Sequence, residues 1–554
     1  MDAERVCMAI LSRYSAIRTL IVEDMPTQQT TLRGQLQLLY IQKVDVASTV
    51  EAAVRLIRQH VYGLVICDYN LNQKSDGQQL LEHLRDTGLL APGCLFFMVT
   101  ADSRYDAVAA ASEHRPDSYL VKPITAGEVE DRLKSLLDRR HAMQLVTQRL
   151  ARDDLAGALA ACETILAKRG RWSMQALQFK GQTLLQMGRH GDAAAVYRQA
   201  LSIHAALAWA QLGLAKALQA GGDVDGALRL AEGLIRSPDG ARNVEAYDLV
   251  VSCLEARGDH RGAFGMLKDS AAVVPSARRQ RIVGEAAYRN GDIGTARDCY
   301  SRVAMATQGT IAAQPQDAIA HAQVLVDAGD CVAAEAVIAA SAKAFPNDRM
   351  LAVAAPALGA QMQARNGDST AASASLAFAR EREILRRSSA DFSTIVLAKA
   401  ELMAGHEEAG LKRLESAVTD DHLNLRTRQL IGQTLHQTGH ADQFARVVEA
   451  GIVAHHVAAA KALFRDGRAD RALTTIEYAL ADYPDNCEVL LQVAQMRCLM
   501  LRDSKHLDTP AVERVRACLS RLDALMPGSD RVARLHAYYR ETLAELEGVS
   551  RVPQ

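Results

Sequence analysis

The sequence predicts a multidomain protein, with an α/β doubly wound domain first and an all-α solenoid of helical repeats after it. In the first 140 or so residues, short apolar runs alternate with amphipathic segments of helical length, the pattern of a parallel sheet covered by helices on both faces. Beyond that point strand-like runs disappear, and glycines recur every 28 to 38 residues. The chain has 554 residues, far more than one such α/β domain needs.

Four apolar runs predict buried strands of the first domain. They cover residues 19–22, 64–67, 95–99 and 119–121, and helix-length segments separate them. Ligands of an open parallel sheet bind outside the carboxyl ends of its strands. Polar residues follow all four runs, so we expect them to meet at one edge of the sheet. These residues are Glu23, Asp24, Asp68, Thr100 and Lys122.

Three carboxylates in this set predict a cation site. Glu23, Asp24 and Asp68 would repel one another unless a cation lay among them. A small site made of oxygen atoms suits Mg²⁺, which takes few protein ligands and keeps several waters. The backbone carbonyl of Asn70 would add a further oxygen. We therefore predict Mg²⁺ as the cofactor.

The same residues predict a phosphorylation site. Asp68 stands alone at its strand end and would act as the nucleophile toward a phosphoryl group, giving an aspartyl phosphate. Lys122 and the cation would neutralise the phosphoryl oxygens, and Thr100 would donate its hydroxyl to one of them. No general base is needed, because an ionised carboxylate already attacks. Each residue alone has an ordinary explanation as a helix cap or turn residue, and only their combination at four strand ends favours the site.

Taken together, these residues resemble the receiver domain of two-component response regulators. The resemblance covers residues 15–140, which follow an N-terminal extension at 1–14. It implies a flavodoxin-like, doubly wound fold with the strand order 2-1-3-4-5. One departure is that the stretch from Asp68 to Gly77 is one residue longer than usual and lacks a common proline, so we expect the loop beside the site to differ.

The resemblance also implies roles for individual residues. Asp68 would be the phosphoacceptor, Thr100 the switch hydroxyl and Lys122 the invariant lysine. Tyr119 matches the aromatic residue that rotates inward on activation. The peptide bond between Lys122 and Pro123 would be cis.

Regularly spaced glycines predict the helical repeats. The residue five positions after the glycine is alanine in seven of the nine repeats, and the residue seven positions before it is small in every repeat except at Val251. Each unit is therefore expected to be a helix, a glycine turn and a second helix in close contact with the first. The glycines are Gly188, Gly222, Gly258, Gly291, Gly329, Gly367, Gly405, Gly439 and Gly467.

The spacing and the small residues resemble tetratricopeptide repeats. They cover residues 141–528 as about nine to eleven helix pairs in a superhelical solenoid, with a capping helix and tail at 529–554. Such arrays hold peptides or partner proteins and have no chemistry of their own, so we expect this region to bind an unidentified protein. No glycine or proline interrupts residues 128–156, which predicts that the last helix of the first domain continues into the first repeat helix or packs directly on it.

Charge and cysteine content narrow the function classes. The net charge is −1, which argues against bulk electrostatic binding of nucleic acid. The ten cysteines form no Cys-x-x-Cys pair, so neither a disulfide framework nor a zinc site is indicated, and a cytoplasmic location fits. No apolar run approaches the length of a membrane span, which predicts no membrane insertion.

His455 and His456 look like metal ligands, but adjacent side chains on a helix point about 100° apart, and ordinary partly buried histidines are the better interpretation.

The sequence thus predicts a response regulator whose output is protein binding. A histidine kinase or phosphotransfer protein would phosphorylate Asp68, and phosphorylation would change how the repeats present their groove. The only catalysis expected is self-phosphorylation and self-dephosphorylation, so we do not expect an enzyme. Two alternatives stay open: a constitutive scaffold whose receiver serves for docking or dimerisation, and a receiver that keeps these residues but is never phosphorylated. A third, a nucleic-acid-binding regulator, would need salt-dependent binding of DNA or RNA, which the neutral charge does not predict. A homodimer is compatible with the sequence.

Overall fold

The computed structural model describes most of the chain and divides it into two compact units. One unit is made of residues 1–287 with 295–317, and the other of 288–294 with 318–554. Apart from Tyr14, the extension expected at 1–14 lies outside the described residues. The described ranges are 14–71, 74–91, 93–101, 115–238, 240–386, 391–506 and 508–549.

A five-stranded parallel sheet forms the N-terminal part of the first unit. Its strands lie in the order β2-β1-β3-β4-β5, which confirms the doubly wound order implied by the resemblance to receiver domains. The strands are β1 Thr19–Val22, β2 Val44–Ala47, β3 Leu64–Asp68, β4 Leu95–Thr100 and β5 Ser118–Val121. Between β1 and β4, the helices within the described ranges are α1 Pro26–Leu38, α2 Val50–Gln59 and α3 Gly77–Asp86.

Two apolar clusters, one on each face of the sheet, form the core of this domain. Val65 and Phe96 belong to the first cluster, and their chain neighbours Ile66 and Phe97 belong to the second. Successive residues of a strand point to opposite faces. A strand that is buried on both faces is therefore apolar throughout, and this is why the inner strands were visible in the sequence.

The edge strand β2 is the strand that the sequence did not locate. Three of its four residues are only half-buried. The Asp45 carboxylate accepts a hydrogen bond from Arg18 at 2.8 Å, and this bond holds the pKa of Asp45 below its ordinary value. A charged residue in so short a strand removes the apolar run by which the inner strands are recognised.

A single helix connects the sheet domain to the helices that follow. This helix, α4, spans Ala126–Leu150 without interruption. Leu133 is buried in a core cluster of the sheet domain, whereas Val146 belongs to a cluster formed with the next helix. The sequence predicted this continuous connection, and the domain boundary expected at residue 140 falls inside α4.

In the part of the chain that the structure describes, every element after α4 is helical, which confirms the all-α second part. The helices up to residue 307 are Leu155–Ala167, Ser173–Gln186, His190–Ile203, Ala208–Ala220, Val224–Arg236, Val244–Ala256, His260–Val273, Ala277–Arg289 and Ile293–Thr307. The later ones are Pro315–Asp327, Cys331–Ala344, Arg349–Arg365, Ser369–Arg386, Phe392–Met403, Glu407–Asp420, Leu425–Gln437, the 3-10 turn Ala441–Gln443, Phe444–Arg465, Ala469–Asp482, Cys487–Ser504, Thr509–Leu525 and Asp530–Val549.

The nine repeat glycines occupy turns between these helices. All nine have a positive φ, between 71° and 93°, a region that glycine enters without steric cost. The small residues before the turns allow close packing, as Tyr197 illustrates. A Cβ added to Gly181 would lie 2.6 Å from the Tyr197 ring, and one added to Gly213 would lie 2.3 Å from it. The ring thus fills a space that only glycine leaves.

The repeat that follows Gly439 departs from the predicted pattern. One helix of 22 residues, Phe444–Arg465, fills the space up to the turn at Gly467. The 28-residue spacing is too short for two further helices and a turn, so one helix serves both repeats. Among the described residues, Ala441–Arg465 is also the one helix with the length and mean hydropathy, 1.4, of a membrane span. A single helix of this kind is weak evidence of a membrane span, because core helices can have the same length and composition.

Candidate functional site

Lys122 joins two carboxylates at the carboxyl edge of the sheet. Its Nζ lies 2.7 Å from Asp68 Oδ2 and 3.0 Å from Glu23 Oε2. Glu23 follows β1, Asp68 ends β3 and Lys122 follows β5, so the parallel strands bring the three residues together. Glu23 is fully buried and Asp68 is 8% exposed, which makes the ion pairs far stronger than surface ones.

Two backbone N–H groups fix Thr100 and Glu23 at this cluster. The Lys122 N–H donates to the Thr100 carbonyl at 2.8 Å. Thr100 is buried at the end of β4. The Met25 N–H donates to the Glu23 carboxylate at 3.2 Å, a contact that the sequence did not reveal. Since α1 begins directly after Met25, this bond anchors Glu23 at the start of that helix.

Burial and charge shift the pKa values of the cluster. Burial raises the pKa of Glu23; the hydrogen bond from Lys122 opposes the rise and the charge of Asp68 adds to it. Burial by itself would lower the pKa of Lys122, but the hydrogen bonds to Asp68 and Glu23 outweigh it, and the pKa is raised. The two shifts have different origins: burial dominates for Glu23, and the carboxylate partners dominate for Lys122.

A divalent cation fits this arrangement. Glu23, Asp24 and Asp68 each place one carboxylate oxygen within 4.8 Å of the other two. Oxygen donors with excess negative charge are what Mg²⁺ prefers. Asn70 lies in the loop after β3, and its N–H is 3.4 Å from Asp68 Oδ1. The structure therefore brings the predicted carboxylate ligands together.

The residues predicted to respond to phosphorylation lie on β4 and β5. Tyr119 is half-buried in β5 and packs against the sheet cluster that contains Val65. The peptide bond between Lys122 and Pro123 is cis. Their roles in signalling stay predictions.

A buried polar cluster in the second unit escaped the sequence analysis. Lys399 Nζ lies 2.6 Å from Asp327 Oδ1, and the Tyr288 hydroxyl donates to the same carboxylate at 2.8 Å. Gln323 donates to Asp327 at 3.2 Å, and Gln437 accepts a hydrogen bond from Lys399. Burial lowers the pKa of Lys399, and the charge of Asp327 opposes this. This Lys399 cluster connects four helices, and its members bond one another, which is typical of a structural network.

Three histidine rings also meet in the second unit. The His422 ring stacks on that of His455 with centroids 3.7 Å apart, and His456 lies 5.8 Å from His422. Burial lowers the pKa values of His422 and His456, and the neighbouring histidines lower them further. A metal site needs at least three histidine, cysteine, aspartate or glutamate side chains with their ligand atoms close together. In the described ranges, such atoms lie within 4.8 Å of one another only at Glu23, Asp24 and Asp68. His422, His455 and His456 do not form such a group. Their charged neighbours are Arg428, Asp421 and Asp482.

Family models match a segment in each part of the chain. Residues 19–134 match the model of the response regulator receiver domain, and residues 184–245 match that of a tetratricopeptide repeat. The virulence sensor protein BvgS of Bordetella pertussis is 33% identical over 129 residues, which are 22% of this chain and 10% of that protein. BvgS of Bordetella bronchiseptica is 31% identical over 129 residues, which are again 22% of this chain and 10% of that protein. The chain thus spans about a tenth of the length of these relatives.

Solved structures with similarity to this chain include helical-repeat proteins. PilW, a type IV pilus biogenesis factor, is 18% identical, with 38% of this chain and 94% of that chain covered and a TM-score of 0.30. A tetratricopeptide repeat protein from Parabacteroides merdae is 14% identical, with 54% and 98% covered and a TM-score of 0.29. The family models confirm that a receiver domain is followed by tetratricopeptide repeats. Receiver domains generally bind Mg²⁺, and neither family is catalytic.

Proposed function

We propose that this chain is a response regulator in which Asp68 is phosphorylated and the repeats bind a partner protein in a phosphorylation-dependent way. The observation that carries this proposal is the contact of Lys122 with both Asp68 and Glu23 at the ligand-binding edge of a receiver sheet. Such a cluster can stabilise an aspartyl phosphate, because its ammonium group lies where negative charge accumulates.

Asp68 is the nucleophile in this proposal. Its ionised carboxylate attacks the phosphorus of a phosphohistidine on a histidine kinase or a phosphotransfer protein. The new O–P bond forms as the P–N bond breaks, and the leaving imidazole takes a proton from solvent. Lys122, held 2.7 Å from Asp68, offsets the charge of the phosphoryl oxygens, and the Thr100 hydroxyl donates to one of them.

Glu23, Asp24, Asp68 and the Asn70 carbonyl are the proposed ligands of Mg²⁺. When bound, the ion offsets the charge of the carboxylates and of the phosphoryl group. Tyr119 is the proposed moving part between the site and the domain surface. We place the protein in the cytoplasm, with self-phosphorylation and self-dephosphorylation as its only catalysis and without nucleic acid among its partners.

Phosphorylation of the purified full chain tests the site. The protein is incubated with Mg²⁺ and acetyl phosphate and run on a gel that retards phosphoproteins. We expect a retarded band for the unmodified chain and for Asp45→Asn, whose carboxylate lies elsewhere in the same domain and pairs with Arg18. Asp68→Asn should give none. A retarded band in Asp68→Asn, or none in the unmodified chain, would overturn the proposed site.

A further inference from the structure

A loop of the repeat region contacts the receiver beside Asp68. The loop comprises residues 308–314, between Ile293–Thr307 and Pro315–Asp327. The backbone N–H of Ile311 donates a hydrogen bond to the Ser75 hydroxyl at 3.1 Å, across 236 residues of chain. Ser75 is only 3% exposed. Both residues belong to the first compact unit.

The Ile311 side chain adds an apolar contact. It is half-buried and packs against the sheet cluster that contains Leu71 and Leu80. Leu71 lies in the loop after β3, and Leu80 lies in the first turns of α3. Together with the hydrogen bond to Ser75, this contact places Ile311 against the core of the sheet domain, near the start of α3.

Two peripheral contacts accompany this docking. A Cβ added to Gly309 would lie 2.8 Å from Lys74 Nζ, so the Lys74 side chain lies close against the glycine. Arg278 lies 3.7 Å from Asp86 at the end of α3, and both side chains are about half exposed. Exposed ion pairs contribute little. The position of the loop is thus set mainly by Ile311.

The docked loop touches the segment that carries the phosphorylation chemistry. Residues 69–76 connect Asp68 to α3 and contain both Asn70, a proposed Mg²⁺ ligand through its carbonyl, and Ser75. The Gly77 N–H donates a hydrogen bond to the carbonyl of Tyr69 at 2.9 Å. A Cβ added to Gly77 would come within 2.3 Å of the Asp68 carbonyl oxygen, so the start of α3 packs directly on the Asp68 backbone. A rearrangement at Asp68 therefore reaches Ser75 through little intervening chain.

We propose that residues 308–312 form an internal latch on the phosphorylation loop and that phosphorylation of Asp68 releases it. The inference rests on the proposed function, because it requires a phosphoryl group at Asp68. Asp68 is 8% exposed, and in this proposal a phosphoryl group with its cation displaces the described residues beside it, 69–71 and 74–76, a movement that the docked Ile311 opposes. By linkage, phosphorylation weakens the latch by the same factor by which loss of the latch strengthens phosphoryl binding.

Hydrogen exchange in the unmodified full chain tests the release. Exchange of the 308–314 amides is compared with and without Mg²⁺ and beryllofluoride, a phosphoryl mimic. We expect the Ile311 amide to be protected without the mimic and to exchange about five to ten times faster with it, at the lower end of ordinary allosteric coupling. Asp68→Asn should show no acceleration. Unchanged or slower exchange in the unmodified chain would overturn the latch.

The affinity for the mimic tests the reverse coupling. Ile311→Asp places a charge in the apolar contact, and we expect it to bind beryllofluoride about five to ten times more tightly than the unmodified chain. The matched control is Ile384→Asp, a residue that is 76% exposed in the second unit, which should bind the mimic with unchanged affinity. Circular dichroism shows whether Ile311→Asp is folded. Equal affinity of folded Ile311→Asp and the unmodified chain would contradict the coupling.

The two proposals fail in different ways. If the mimic does not bind the unmodified chain, the phosphorylation site itself is refuted. If it binds with the expected dependence on Asp68 but neither the exchange nor the affinity responds as described, only the latch is refuted.

Discussion

Replacing Lys399 by methionine should destabilise the second unit strongly. The substitution keeps the length of the side chain but leaves the Asp327 carboxylate, which is 6% exposed, without its cation. Breaking a buried ion pair in this way costs about 3–5 kcal/mol. Tyr288 and Gln323 still donate hydrogen bonds to Asp327, so we expect a loss near the lower end, about 3 kcal/mol.

Urea denaturation of the full chain, followed by circular dichroism, measures this loss. Because the two units need not unfold together, the data are fitted with two transitions, and only one of them should move. The control is the double variant Lys399→Met/Asp327→Asn, which leaves no unpaired buried charge and should regain about 2 kcal/mol. A loss below about 1 kcal/mol in Lys399→Met would refute the reasoning, because the cluster would then be neither dry nor strongly coupled.

Three further predictions concern packing, pH and the connecting helix. Gly213→Ala should lower stability by about 1–3 kcal/mol, because its Cβ would collide with the Tyr197 ring; Gly233→Ala, with open space at its Cβ, should raise it by up to about 1 kcal/mol in the same urea titration. Since the pKa of His422 is lowered in the folded protein, the stability that depends on it is complete above a pH of about 6.5 and is lost as the pH falls below that value. His422→Gln should make this loss shallower in thermal melts between pH 7 and about pH 5, whereas a steeper loss, or the same effect in the exposed His506→Gln, would contradict this origin. Finally, trypsin should cut slowly at Arg139 and Arg140, because they lie in a continuous helix that has buried residues on both sides of them; rapid cutting there would show that α4 is interrupted.

Much of the fold could be predicted because its signals are local. The inner strands are apolar throughout, and the glycine turns recur at a regular spacing. The edge strand β2 gave no such signal, because Asp45 interrupts it. The shared helix Phe444–Arg465 was not predicted, because a glycine pattern alone does not show that two helices are one.

The site was predictable to the extent that strand order determines it. Once four strand ends are placed at one edge of a sheet, Glu23, Asp68 and Lys122 must meet. The Lys399 cluster and the contact of Ile311 with Ser75 depend on pairings between distant helices and loops. Such pairings follow from the packing of whole elements, and nothing in the local sequence of either partner indicates them.

The most direct measurement is a comparison of the proteins captured from native cell extract with and without the phosphoryl mimic. The baits are the full chain with Mg²⁺ and beryllofluoride, the untreated chain, and Asp68→Asn with the mimic, and captured proteins are identified by mass spectrometry. We predict that at least one partner binds or leaves with the mimic and that Asp68→Asn behaves like the untreated chain. Identical sets of partners for all three baits would contradict a phosphorylation-dependent output and favour a constitutive scaffold.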